Sequence, residues 1–263
     1  MSFLSLIIAT SLLWGIGQVL VKKGLSYLTP WHSYTLDTLS AVLLWVPYSL
    51  FVGINISYIN IQSVLLALFI GVIYAFYYYV IEKGPISVIS PIFSTAPILT
   101  AIFSFFLLKE VLAPVQVIAV IITVVGVLFL SLPHSKEHLK HVSTWIVLTI
   151  FLTIAFSFET IASKYVIDQN GKGAFMMLFA AGQIAAVLIW YLIRPPKKLL
   201  PKLRRSFILP SLLGVFMFNF GTITWAIALE RGLASIVAVL SNAYLVVLVI
   251  FSAFYLKEKM IKR

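Results

Sequence analysis

Eight side chains in this sequence stand where chemistry inside a lipid bilayer would need them. Glu159 is the clearest. It is a carboxyl in the apolar run Ser143–Val166, seven residues before the end of that run. At 1.5 Å per helical residue that is roughly 10 Å of depth. No Lys or Arg lies within one turn of it on its own helix, and Lys164, at i+5, falls off its face. Ionisable groups at such depth are costly and mark candidate functional sites. Glu159 therefore reads as a carboxyl that exchanges a proton or contacts a solute. The plainer alternative is a neutral acid bonded to a neighbouring helix.

Gln18 is its counterpart when two segments of the chain are aligned at an offset of 141, which also pairs Lys23 with Lys164. Trp14 and Gln18 are i, i+4 neighbours and share a helix face. The ring can stack on a solute while the amide hydrogen-bonds it; packing and helix–helix adhesion are the competing roles. A second stripe, Gly71, Tyr74, Tyr78 and Glu82, matches Asn219, Thr222, Ala226 and Glu230 at an offset of 148. Both follow i, i+3, i+7, i+11, one helical face. A polar face in lipid must look at protein or water, so Tyr74, Tyr78 and Asn219 are expected to line a cavity. Tyr77 and Tyr79 are expected in packing or in the interfacial belt. Glu82 and Glu230, beside Lys83 and Arg231, read as local interfacial pairs.

The run Ser87, Ser90, Pro91, Ser94, Thr95, Pro97 offers hydroxyls and two helix-breaking prolines. Its counterpart holds Ser235, Ser241 and Asn242 but no proline, so the first copy is expected to be the more bent. Ser94 and Asn242 are candidate cavity residues; Ser/Thr-mediated helix packing is the alternative. Asp37, five residues into its span, reads as an interfacial cap or a partner of Lys22 or Lys23. His134, His138 and His141 could hold a metal on a helix, but Lys136, Glu137 and Lys140 interleave and favour a solvated linker.

The elements that must position these groups are membrane helices. Of the 263 residues 62% are hydrophobic and 10% charged, against about 25% charged in soluble domains. Nine spans are expected: Leu4–Val21, His32–Val52, Ile61–Ile81, Pro85–Leu108, Pro114–Leu132, Ser143–Val166, Gly173–Ile193, Phe207–Leu229 and Ala234–Leu256. The start reads as a span, not a cleavable leader, because Lys22 and Lys23 follow the apolar run instead of preceding it. With no cysteine, thiolate chemistry and disulfides are excluded. The sequence lacks a phosphate-binding Gly-x-x-x-x-Gly-Lys motif, His-Glu-x-x-His and Gly-x-Ser-x-Gly, so no cofactor, metal or enzymatic role is expected.

The chain is also duplicated. Glu82–Glu110 and Glu230–Glu258 agree at ten of 29 positions, opening on Glu-x-Gly-x-x-Ser and closing on Leu-Lys-Glu. The boundaries are residues 1–132 and 143–263, joined by 133–142. A five-helix unit followed by its own copy must insert the other way up, and inverted repeats are typical of alternating-access carriers. The second copy stops short, so a tenth helix is expected to be missing. Of the 19 Lys and Arg, 15 fall at one end, with six in the segment Arg194–Arg205. The net charge of +11 therefore reads as topology and attraction to anionic lipid, not as nucleic-acid binding. It puts the basic end in the cytoplasm and the N-terminus outside.

Glu82-Lys83-Gly84-Pro85-Ile86-Ser87, Pro91, Pro97, Leu108-Lys109-Glu110, Gln116 and Gly126, with Trp14-Gly15, resemble the repeat of the EamA family of the drug/metabolite transporter superfamily. Glu230-Arg231-Gly232-Leu233-Ala234-Ser235 through Leu256-Lys257-Glu258 resembles it again. The resemblance implies ten helices in two inverted five-helix halves around a central cavity. It implies secondary transport, often export, of amino acids, other small metabolites or drugs, in the cell (inner) membrane of a prokaryote. It also implies a cytoplasmic N-terminus, opposite to the charge count. The fold expected is thus an all-α membrane protein, and its partners are a small-molecule substrate, the bilayer and a proton as candidate coupling ion. An inactive or scaffold paralogue and a membrane enzyme acting on lipid-linked substrates are the alternative classes.

Overall fold

Long apolar runs become helices in lipid because a helix satisfies its own backbone groups, and the described chain is helical throughout. The structure is a computed structural model that describes residues 2–25, 28–54, 59–84, 89, 92–93, 95–131, 144–196 and 205–255; the side chains of 123–124, 127–131 and 205–207 are left out. The elements are α1 (Phe3–Gly24), α2 (Pro30–Val52), α3 (Ile61–Lys83), α4 (Ala96–Phe103, continuing as a wider π-type turn over Ser104–Leu108) and α5 (Pro114–Ser131). Then come α6 (144–170), α7 (172–193), α8 (Arg205–Arg231), α9 (Ala234–Ser241) and α10 (Tyr244–Tyr255). The segment Thr144–Ile193 breaks at Gly171, whose φ of 80° and ψ of 161° suit only glycine. Fifty residues of helix would run to about 75 Å, and the hydrocarbon core is about 30 Å thick, so this segment supplies two passes. Six helices among the described residues are long and apolar enough to cross a membrane, this one counted once.

The burial pattern is that of a membrane protein. Leu4, Ile8 and Leu12 are exposed along one face of α1, while Thr10, Ser11, Gly15 and Gly17 are buried. Small residues let helices approach closely. A Cβ on Gly17 would lie 2.8 Å from the Gly214 carbonyl oxygen, and one on Gly214 would lie 2.8 Å from that of Gly17. The pair α1 and α8 forms the most extensive helix contact, and α3 against 144–193 the next.

Contacts recur in exchanged pairs. Gly84, ending α3, packs on Trp145 at the start of α6, and Gly232, 148 residues later, packs on Phe3 at the start of α1. Trp45 of α2 packs tilted against Phe179 of α7 at 4.6 Å, and Tyr34 of α2 lies against Trp190 of α7 at 6.4 Å. An offset of 145 turns the first of these pairs into the second. Lys22 and the end of α3 meet at one end of the bundle, and Lys172 and Glu230 at the other.

Three expectations change. Asp37 is neither a cap nor a partner of Lys22 or Lys23 among the described contacts: it is fully buried where α2 meets α8 and bonded to Asn219. Glu230 reaches across to Lys172 at 2.8 Å, beyond its own helix end, because α7 begins beside the end of α8. Glu82 does pair with its neighbour Lys83, at 3.1 Å. The proline-free copy is also interrupted. Ala243 N–H donates to Leu240 O and Val246 N–H to Ala243 O, a tight i→i−3 turn between α9 and α10. In the first copy Thr95 donates to Ile92 O and Ile98 to Thr95 O, the same bonds 148 residues earlier. The turn therefore does not depend on Pro91 or Pro97. Ser94, the histidine linker, Ser87 and Leu256-Lys257-Glu258 lie outside the described residues.

Candidate functional site

The two tight turns face one cavity. It has a volume of about 120 Å³ and is lined by residues of α1, α3, the Phe93–Thr100 segment, α6, α8 and the Ala238–Tyr244 segment. Broken helices supply backbone groups and helix ends in mid-membrane, where a carrier can use them on a solute. Here one break comes from each copy.

Five of the eight candidates line this cavity: Trp14, Gln18, Tyr74, Glu159 and Asn242. Glu159 is 4% exposed and accepts from Ser163 Oγ at 3.1 Å and from Thr160 Oγ1 at 3.5 Å. Three ion pairs join described side chains, Lys83–Glu82, Lys164–Asp168 and Lys172–Glu230, and none involves Glu159. Gln18, its counterpart in the first copy, lines the cavity together with Tyr244. Trp14 Nε1 donates to Thr222 Oγ1 at 3.3 Å, and its ring stacks on Phe218 at 5.9 Å. Tyr74 stands edge-on to Phe156 at 5.3 Å.

Tyr78 and Asn219 do not line this cavity. Asn219 Nδ2 is tied to Asp37, Ser40 and the Val215 carbonyl, and Tyr78 is buried beside Tyr34. The stripe on α3 is real, but its two tyrosines diverge: Tyr74 looks into the cavity and Tyr78 toward α2. Tyr77, expected in packing or in the interfacial belt, lines the cavity instead, together with Tyr244, Thr100 and Phe156, which the sequence did not mark. Tyr77 sits at i+3 from Tyr74, a spacing that could have flagged it.

Another carboxylate ties the two copies together. After the π-type turn, Lys109 takes a left-handed conformation (φ 59°, ψ 28°), which swings Glu110 toward α9. Glu110 Oε1 accepts from Ala234 N at 2.7 Å, and its Oε2 accepts from Ser235 N at 3.1 Å and Ser235 Oγ at 2.6 Å. This is an N-cap supplied from the other copy.

Membrane-length helices and a cavity fed by both copies define a multi-pass membrane protein with the layout of a solute carrier. The profile of the EamA-like transporter family matches residues 1–132 and again 143–263. The chain belongs to that family, within the drug/metabolite transporter superfamily, and membership indicates a transporter of small solutes. A solved structure titled "Crystal structure of protein" is similar over 96% of this chain and 87% of that one, with a TM-score of 0.71 and 17% identity, and so shares its fold. No curated protein matches the chain.

Proposed function

We propose that this protein is a secondary carrier of small organic solutes, of the amino-acid, metabolite or drug exporter type. It works by alternating access between two inverted halves, with the proton as coupling ion. The observation that carries the reading is the cavity at which a tight turn from each copy meets a buried carboxyl without an ion-pair partner among the described residues. The exchanged helix contacts support the inversion. Trp14 and Tyr74 offer flat apolar faces to the solute, and Gln18 and Asn242 offer amides. Glu159 contacts the solute or carries the proton. The basic end lies in the cytoplasm, against anionic lipid.

A thermal-shift screen of the purified protein against metabolite pools finds the cargo, because a ligand raises apparent stability by mass action. Uptake of that cargo into proteoliposomes is then expected to follow an imposed pH gradient. Glu159→Gln keeps an acceptor for Ser163 but cannot lose a proton, so gradient-driven uptake should fall well below the wild-type level while cargo still binds. Gradient-driven uptake at the wild-type level in Glu159→Gln would reject the assignment.

A further inference from the structure

The chain holds two aspartates, Asp37 and Asp168, in opposite settings. Asp168 is half-exposed and paired with Lys164 at 2.8 Å. Asp37 is fully buried where α2 crosses α8. Its Oδ1 accepts from Asn219 Nδ2 at 2.7 Å, and Tyr78 of α3 lies near the carboxyl. Its Oδ2 has no hydrogen-bond partner among the described residues, and neither does Asn219 Oδ1. None of the three ion pairs among described side chains includes it. The titratable groups that feel its charge are Tyr34 on its own helix and Tyr74, Tyr77 and Tyr78 on α3. The buried polar residues described on α7 and α8 are uncharged: Gln183 on the first, and Ser211, Asn219, Thr222 and Thr224 on the second.

The duplication shows that the fold does not need a carboxyl here. Asn219 corresponds to Gly71 at the offset of 148, and Asp37 to Gly182 at 145. The equivalent crossing, α3 on α7, is two glycines in backbone contact: a Cβ on Gly71 would overlap the Gly182 carbonyl. One crossing is closed by bare packing. The other buries an acid against an amide that belongs to the opposite half.

We propose that Asp37 is a proton-binding site distinct from the solute cavity: the carboxyl holds a proton while α2 and α8 are closed on each other and releases it to water when they part. The chemistry is a simple ionisation, Asp–COOH to Asp–COO⁻ plus a proton taken up by water. In the closed arrangement an ionised Asp37 would be a buried anion with one oxygen unbonded, which is strongly disfavoured. A neutral acid can occupy the same place. Closing therefore takes up one proton, and alkaline pH depletes the closed arrangement. Each pH unit shifts the closed-to-parted ratio by up to about tenfold. Proton binding itself does not depend on the carrier reading; only its use in moving cargo rests on that.

Isotope-edited infrared spectroscopy tests the protonation on the wild-type chain itself. Wild-type protein labelled with ¹³C at the aspartate carboxyls and reconstituted in lipid carries two labelled groups. At neutral pH one is expected as a protonated acid and the other as a carboxylate, with the acid converting to carboxylate as pH rises. The titrating signal should survive in Asp168→Asn. Spin labels across the α2–α8 crossing should report a closed population that falls over the same pH range and is insensitive to pH in Asp37→Asn. Two ionised aspartates at every pH, one that never ionises, or titration without movement would each overturn the proposal. Wild-type protein that titrates and moves in this way but carries no cargo would instead remove the carrier reading.

Discussion

Glu110 gives the sharpest stability test, because its partners and their geometry are all described. Replacing it with alanine removes three acceptor contacts at the start of α9: two to backbone N–H groups, at 2.7 and 3.1 Å, and one to the Ser235 hydroxyl, at 2.6 Å. Glu110 is 8% exposed, so water does not readily replace it. An orphaned buried donor costs about 1–3 kcal/mol, and loss of a cap about 0.5–2 kcal/mol. Because the three bonds share one carboxylate they do not add in full, and Glu110→Ala should cost about 2–4 kcal/mol. Glu110→Gln keeps one acceptor oxygen but turns an NH₂ toward a backbone donor, so it should cost roughly half as much. Ser235→Ala removes one bond, about 1 kcal/mol. Reversible unfolding in mixed detergent micelles measures all three. In the double variant, Glu110→Ala should cost about 1 kcal/mol less than in the wild type, which is the coupling energy of the pair. If Glu110→Ala and Glu110→Gln both unfold with the wild type, the carboxylate does not hold α9 and the reasoning fails.

Two other tests address packing and orientation. Gly71→Ala puts a methyl group into the Gly182 carbonyl, where backbone cannot swing aside. It should destabilise by about 1–3 kcal/mol, while Gly126→Ala, with nothing within 4 Å of its Cβ, should be near neutral in the same unfolding assay. Because the native chain has no cysteine, single cysteines report topology cleanly. Ser2→Cys should react with a membrane-impermeant maleimide on intact cells and Pro196→Cys only after permeabilisation; the reverse pattern would place the N-terminus in the cytoplasm.

Helix existence was legible because apolar periodicity and length decide it in lipid, and α1, α2 and α3 begin and end within a few residues of the expected spans. The pairing of Gln18 with Glu159 was legible because duplication projects one copy onto the other. What stayed hidden depends on which helices cross. Asp37 looks interfacial when counted along its own helix, and only the crossing with α8 buries it. Tyr74 and Tyr78 share a stripe, yet a helix with different neighbours on each flank sends them to different places. The turn at Asn242 has no proline to announce it; Pro91 and Pro97 in the matching segment of the first copy were the available clue. Glu110 was visible as part of a repeated motif, but its role needed the left-handed turn at Lys109.

The rings around the cavity touch one another as well as the space between them. Phe93, Phe156, Tyr77 and Tyr74 form a run of edge and tilted contacts at 5.3–6.4 Å, and Trp14 leans on Phe218, Trp225 and Tyr244. A guest larger than the hollow cannot push one ring aside without shifting its neighbours. On the proposed carrier reading, selection by size is a collective property of this wall, and trimming a single ring should widen the range of guests accepted more readily than it abolishes acceptance.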